Sequence, residues 1–314
     1  MRFAAIDIGT VTCRLLVADV DRGSLTELDR QCAITNLGIG VDKTGVLQAD
    51  AIDRVVDKVA HFAAIIDSYR DRNHSSIPIA AIATSAARDA RNSDELISRL
   101  HEHGVDLSVI KGTQEAALSF KGASCNYQNE NLLVVDIGGG STEVIFGIGG
   151  CDPQFAYSFD IGCRRVTERF LFSDPPTLEE CDKARMWIRE SMRHVFEKAK
   201  EQGCIIDRVV AVAGTATSVV SIDKEMVTYD SAQVDNTCVP QATLQRIYDN
   251  LRMLSLEERQ SVKGLEPARA SVIVAGMAIL LEVLSAVHMD EFTVSESDIL
   301  QGLIMNEARK HNAF

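Results

Sequence analysis

Two segments of this chain carry the same local pattern, and that repetition restricts the fold more than any other feature. Near the N-terminus the chain reads Phe3-Ala4-Ala5-Ile6-Asp7-Ile8-Gly9-Thr10. Much later it reads Leu132-Leu133-Val134-Val135-Asp136-Ile137-Gly138-Gly139-Gly140-Ser141-Thr142-Glu143. Each is a short apolar strand that ends in an aspartate, then a glycine turn, a hydroxyl residue and a further apolar run. The aspartates, at positions 7 and 136, lie 129 residues apart, about one domain length. Two facing copies of such a turn would frame a cleft for a phosphate chain and its metal.

At 314 residues the chain is too long for one ordinary core and suits two domains. Its formal net charge of −13 gives no general attraction for nucleic acid or an anionic membrane, so neither is expected as a partner. A bound polyanion must meet a local basic pocket or metal ions. The eight cysteines form no Cys-x-x-Cys pair, and Met1 leads directly into a predicted strand with no secretory signal visible. These features predict reduced thiols in a cytoplasmic protein. Ala270 to Leu281 is almost wholly apolar but flanked by Arg269 and Glu282, which suits a buried core helix better than a membrane span.

The pattern of apolar residues predicts strands at 2–7, 13–19 and 24–35, then a helix over 49–72. In that helix Ile52, Val55, Val56, Val59, Phe62, Ala63 and Ile66 follow the helical period. A strand at 78–83, a helix at 93–103, a strand at 105–110 and a helix at 113–123 follow. The polar run Asn126 to Asn131 marks a boundary, dividing an N-terminal domain, 1–127, from a C-terminal domain, 128–314. The order then restarts with strands at 132–136, 141–148 and 154–159 and a helix from about 162. Thr177 and Glu180 have capping-box spacing before the next helix. A strand at 206–212 and a helix from 214 come next. The remainder is predicted helical, at 240–254, 255–260, 267–287 and 298–310, with the last helix free to pack back on the first domain. Two α/β halves that begin alike predict two mixed sheets with helices on both faces, and ligands in such folds bind outside the strand ends.

The candidate chemistry lies in the turns. Gly138, Gly139 and Gly140 let backbone N–H groups approach a phosphate, and Ser141 adds a hydroxyl. Asp136 and Glu143 bracket that turn and are able to hold Mg²⁺ directly or through water. A tight hairpin with two surface acids is the alternative, made less attractive by the matching turn at Asp7 to Thr10. Asp7 and Thr10 are placed to face the metal and the phosphate, and Arg14 starts the next strand. Ser85 and Arg88 lie in a small-residue segment after a strand, a helix start able to bind an anion. Gly214 and Thr215 form another strand-to-helix turn. Glu115 falls in the first turn of its helix. There it either orients a water or stabilises the helix start through the dipole, and spacing alone favours the second.

At these residues the chain resembles the exopolyphosphatase / guanosine-pentaphosphate phosphohydrolase (Ppx/GppA) family. The resemblance covers essentially the whole chain and rests on Ala5–Thr10, Ala83–Asn92, Gly112–Gly122, Val135–Glu143, Gly214-Thr215 and Arg269–Ile273 in that order. It implies an α/β fold of two actin-like (ribonuclease H-like) domains with mixed five-stranded sheets flanked by helices and a cleft between them. It also implies a hydrolase that releases terminal phosphate from inorganic polyphosphate, guanosine pentaphosphate or both. Glu115 matches the family's catalytic glutamate. Asp136 and Glu143 match acids tied to Mg²⁺, with K⁺ the candidate additional activator. Gly138 to Ser141, Arg88, Gly214 and Thr215 match phosphate-cleft positions. The candidate assembly is a homodimer.

The chain departs from the family pattern at several places. Val11-Thr12 stands where Asn-Ser is usual, Ala213 replaces the first glycine of a Gly-Gly-Thr, and Ser271 replaces an aspartate. Asp298 and Leu300 occupy the places of a usual glycine and arginine. A small-molecule kinase or ATPase of the same superfold is one competing reading, and a catalytically weak polyphosphate- or nucleotide-binding regulator is the other.

Overall fold

The structure is a computed structural model, and it describes residues 1–71 and 76–313. The chain divides into two compact units, Met1–Gly122 with Asp298–Phe314, and Ala123–Ser297.

The first unit runs β1 (Arg2–Ile8), β2 (Thr12–Asp21), β3 (Ser24–Ile34), α1 (Val41–Thr44), α2 (Ala49–Ser68), β4 (Ile79–Ala83), α3 (Ser85–Asp89), α4 (Ser93–Glu102), β5 (Leu107–Val109) and α5 (Gly112–Ala123). Its five-stranded sheet has the order β3-β2-β1-β4-β5. The β1–β2 and β2–β3 pairs are antiparallel, and β1, β4 and β5 run parallel. Strand alternation divides the core into two layers. Ala4, Ile6, Ile8, Leu15 and Val17 face one way and pack with Ile52, Val55, Val59 and Phe62 of α2. Phe3, Ala5, Leu16 and Ala18 face the other way and pack with Ile299, Leu300, Leu303 and Ile304 of the C-terminal helix, Ile299–Lys310. A strand buried on both faces needs two layers of helix, and the second layer arrives only at the end of the chain. Residues 298–314 therefore belong to the first unit rather than to a domain spanning 128–314. The helix predicted over 49–72 ends at Ser68, and position 72 lies outside the described residues.

The second unit contains β6 (Asn131–Ile137), β7 (Thr142–Ile148), β8 (Pro153–Phe159), α6 (Cys163–Phe170), α7 (Leu178–Glu201), β9 (Arg208–Val212), α8 (Ala213–Asp223), α9 (Ser231–Val234), β10 (Cys238–Pro240), α10 (Gln241–Arg252), α11 (Leu256–Gln260), α12 (Ile273–Val287) and β11 (Glu291–Val294). Its sheet has six strands where five are expected, in the order β10-β11-β9-β6-β7-β8. Without the edge strand β10, the order and strand directions repeat those of the first sheet. The unit begins earlier than the 127/128 boundary. Tyr127 is buried and its hydroxyl donates to Asn236 at 2.6 Å, so it belongs here.

Thr177 and Glu180 form the expected capping box at the start of α7. The apolar run at 270–281 lies in the core. The buried Glu282 that follows it accepts from Arg185 at 2.6 Å and Arg189 at 2.8 Å. No helix among the described residues is long and apolar enough to cross a membrane.

Candidate active site

In the first unit, strand register brings the candidate residues to one edge. Ile8 pairs with Ala83 across parallel strands, and Ala83 with Val109. The segments that leave these strands carry Thr10, Ser85, Arg88 and Glu115, and so emerge from the same C-terminal edge of the sheet, where α/β folds bind ligands. Arg14 faces Asp7 directly across the antiparallel hairpin.

Arg14 donates from Nε and Nη2 to Asp7 Oδ2, at 3.1 and 2.6 Å, and from Nη1 to Asp298 Oδ2. Asp7 is buried, and its Oδ1, like Thr10 Oγ1, has no hydrogen-bond partner among the described residues. Burial holds the Asp7 carboxyl above the usual carboxylate range, although Arg14 pulls in the other direction. Arg88 donates from Nη1 to Ile110 O and to Glu115 Oε2, each at 3.1 Å. Glu115 is itself buried in the first turn of α5. The Ile110 carbonyl thus fixes Arg88, and Arg88 fixes one oxygen of the glutamate. Ser85 is buried in the first turn of α3.

The second unit repeats the hairpin with different chemistry. Asp136 pairs with Glu143, the same seven-residue separation as Asp7 and Arg14. Opposed residues of an antiparallel pair lie on one face and close together. The Arg14 position is therefore an acid here, and two buried carboxylates oppose each other. Ser158 Oγ donates to Glu143 Oε1 at 2.7 Å.

The turns also correspond. Gly9 N donates to Thr12 O at 2.8 Å, and Gly138 N to Ser141 O at 3.0 Å. Thr12 is the counterpart of Ser141, so the Val11-Thr12 departure keeps the hydroxyl.

The start of α6 draws the glycine carbonyls to itself. Gly138 O accepts from Cys163 N at 3.0 Å, Gly139 O from Arg164 N at 2.8 Å and Arg165 N at 3.2 Å, and Gly140 O from Arg165 Nε at 2.9 Å. In a trans peptide the N–H of the next residue points opposite to the carbonyl. The N–H groups of Gly139, Gly140 and Ser141 therefore all point away from α6, a concavity suited to an anion. Gly162 permits the approach, since a Cβ there would lie 2.3 Å from Gly139 O. In the first unit Gly38 has the same part, donating to Thr10 O at 2.8 Å.

Gly214 lies in the first turn of α8, whose N-terminus has no side-chain cap, leaving N–H groups for an anion. The Arg269 guanidinium covers it, with Nη1 lying 1.8 Å from where a Cβ would stand. The Thr215 hydroxyl lies beside Gly276 of α12, 2.4 Å from where a Cβ there would stand. Burial pushes the Cys163 thiol up, while the nearby charges of Arg164 and Arg269 pull it back. Arg164 and Arg165 have no part in the sequence expectations. Their signal is the Cys163-Arg164-Arg165 run after Gly162, which acquires meaning only once α6 is seen to meet the turn.

The oxygens present fit Mg²⁺. Among the described residues no group of three or more His, Cys, Asp or Glu side chains gathers at one point. Mg²⁺ is commonly held by one or two carboxylates plus substrate phosphates and water. Asp7, with its unmatched Oδ1, and the opposed Asp136 and Glu143 are carboxylates of that kind.

Two mixed sheets of one topology, each ending in an acid-bearing turn and flanked by helices, define an actin-like ATPase fold. Residues 16–311 match the Ppx/GppA phosphatase family, and the chain belongs to that family. It is a phosphoanhydride hydrolase by that membership. It is 35% identical to Exopolyphosphatase 2 of Mycobacterium tuberculosis over 98% of both chains. The crystal structure of the Aquifex aeolicus Ppx/GppA family member superposes with a TM-score of 0.81, at 30% identity over 99% of both chains. An exopolyphosphatase from Cytophaga hutchinsonii superposes with a TM-score of 0.88, at 25% identity, covering 99% of this chain and 98% of that one.

Proposed function

We propose that this protein releases terminal orthophosphate from inorganic polyphosphate, with Glu115 as the general base for the attacking water. The observation that carries the proposal is the Glu115 carboxylate, buried at the start of α5 and held through Oε2 by Arg88 at 3.1 Å. A carboxylate fixed in this way accepts a hydrogen bond from water and takes its proton as the water attacks phosphorus. Phosphoanhydride hydrolysis depends largely on positioning and charge stabilisation. In the second unit, the N–H groups of Gly139, Gly140 and Ser141 and the uncapped start of α8 at Gly214 supply donors for phosphate oxygens. Asp7, or Asp136 with Glu143, would hold Mg²⁺, which would supply positive charge to the phosphate oxygens. The name of the 35%-identical mycobacterial relative supports polyphosphate as the substrate. Cytoplasmic location is consistent with eight unbridged cysteines.

A phosphate-release panel tests the substrate. Long-chain polyphosphate without nucleotide is expected to yield orthophosphate, and more efficiently than guanosine pentaphosphate. ATP consumption that requires an acceptor, with no release from polyphosphate, would instead make the protein a kinase.

A further inference from the structure

Asp298 uses its two oxygens for separate tasks. As the N-cap of the C-terminal helix, Oδ1 accepts from Leu300 N at 3.0 Å, and Gln301 Oε1 accepts from Asp298 N at 2.9 Å. Its Oδ2 accepts from Arg14 Nη1. Arg14 thereby has Nε and both terminal nitrogens engaged by two carboxylates, Asp7 and Asp298. The three side chains are 16%, 6% and 5% exposed, so solvent screens them little. The Asp298 backbone packs directly on Gly122 of α5, where a Cβ would lie 1.8 Å from Asp298 O.

Capping alone does not require this charge, since Asn or Ser caps a helix about as well as Asp. The charge acts on Arg14. Asp7 and Arg14 alone sum to zero, whereas the trio sums to −1. An arginine at the edge of a phosphate site ordinarily offers a polyanion its planar fork. Here that fork is turned into the protein, and the local charge has the sign of the substrate.

We propose that Asp298 is a specificity-determining residue: by holding Arg14 against Asp7 it withholds the guanidinium from condensed phosphate, so the substrate is accepted as its divalent-metal complex rather than as the bare polyanion. This rests on the reading of the chain as a polyphosphate hydrolase.

Asp298→Asn removes the charge and keeps the cap acceptor, and Asp298→Ser does the same with a smaller group. Calorimetric binding of tripolyphosphate, with and without Mg²⁺, is measured beside kcat and KM for phosphate release. In both variants metal-free binding should tighten by about tenfold, the scale of one unit charge a few ångströms away, and the kinetic change should fall on KM rather than kcat. The gain should vanish in Arg14→Gln/Asp298→Asn. If either folded variant binds metal-free tripolyphosphate no more tightly than wild type, or if the gain survives the loss of Arg14, the proposal is overturned. Tighter binding in proteins that release no phosphate would leave Asp298 in its role and remove the polyphosphatase reading instead.

Discussion

Gly162 has no room for a side chain, and its place shows how single residues shape this site. A Cβ there would lie 2.3 Å from Gly139 O and 2.4 Å from Gly140 N, pushing the glycine turn away from α6. Gly162→Ala is expected to cost about 1–3 kcal/mol, as overpacking does, and to raise KM because the N–H groups of Gly139 to Ser141 lose their alignment. Chemical denaturation and steady-state kinetics would check both. Ala213 is the opposite case. Its φ of 66° is left-handed, a region costly to any residue with a Cβ. Ala213→Gly should relieve that cost and, after the loss of unfolded-state restriction, stabilise the protein by about 0.5–1 kcal/mol. An unchanged or lowered melting temperature would contradict this account of the departure from glycine. Some of the site was legible at this scale, for a local reason. Asp7 and Arg14, like Asp136 and Glu143, have six residues between them within one tight hairpin, so they fall on adjacent strands close in sequence. The contacts of Arg165 and Asp298 with the candidate site were not legible, because their partners, Gly140 and Arg14, come from elements distant in the chain.

Among the elements, the C-terminal helix shows most clearly what burial requires. Leu300 is fully buried against β1 and β2 of the first unit. It serves as a core residue of that layer. Leu300→Ala is expected to cost about 2–5 kcal/mol through lost contact and a residual cavity. Denaturant titration followed by the fluorescence of the chain's single Trp, or by circular dichroism, would measure it, and a loss below the lower bound would argue against a packed second layer. Long amphipathic helices such as α2 and α7 were readable from their period and caps. The strand β11 was not, because its four residues give too short an alternation, and the three-residue β10 is shorter still. The helix expected over 267–287 is broken for a related reason. Pro267–Arg269 forms a separate 3₁₀ turn and α12 begins at Ile273, since an apolar run records burial but not the exact start of a helix.

For the whole molecule, the governing facts are a net charge of −13 and a polyanionic proposed substrate, which together make metal the expected mediator. Mg²⁺ at about 100 times its dissociation constant should add about 2.7 kcal/mol of stability if it binds only the folded state, seen as a rise in melting temperature. Asp7→Asn is expected to diminish that rise, because it removes the carboxylate whose buried Oδ1 lacks a partner among the described residues. An undiminished rise would exclude Asp7 from the metal site. The role proposed for the buried Glu115 at the start of α5 is checked by orthophosphate release from saturating polyphosphate with excess Mg²⁺, comparing wild type with Glu115→Gln. A fall in kcat of about 10²–10⁴-fold is expected, with melting temperature and substrate binding nearly unchanged. Turnover close to wild type in that variant would contradict it.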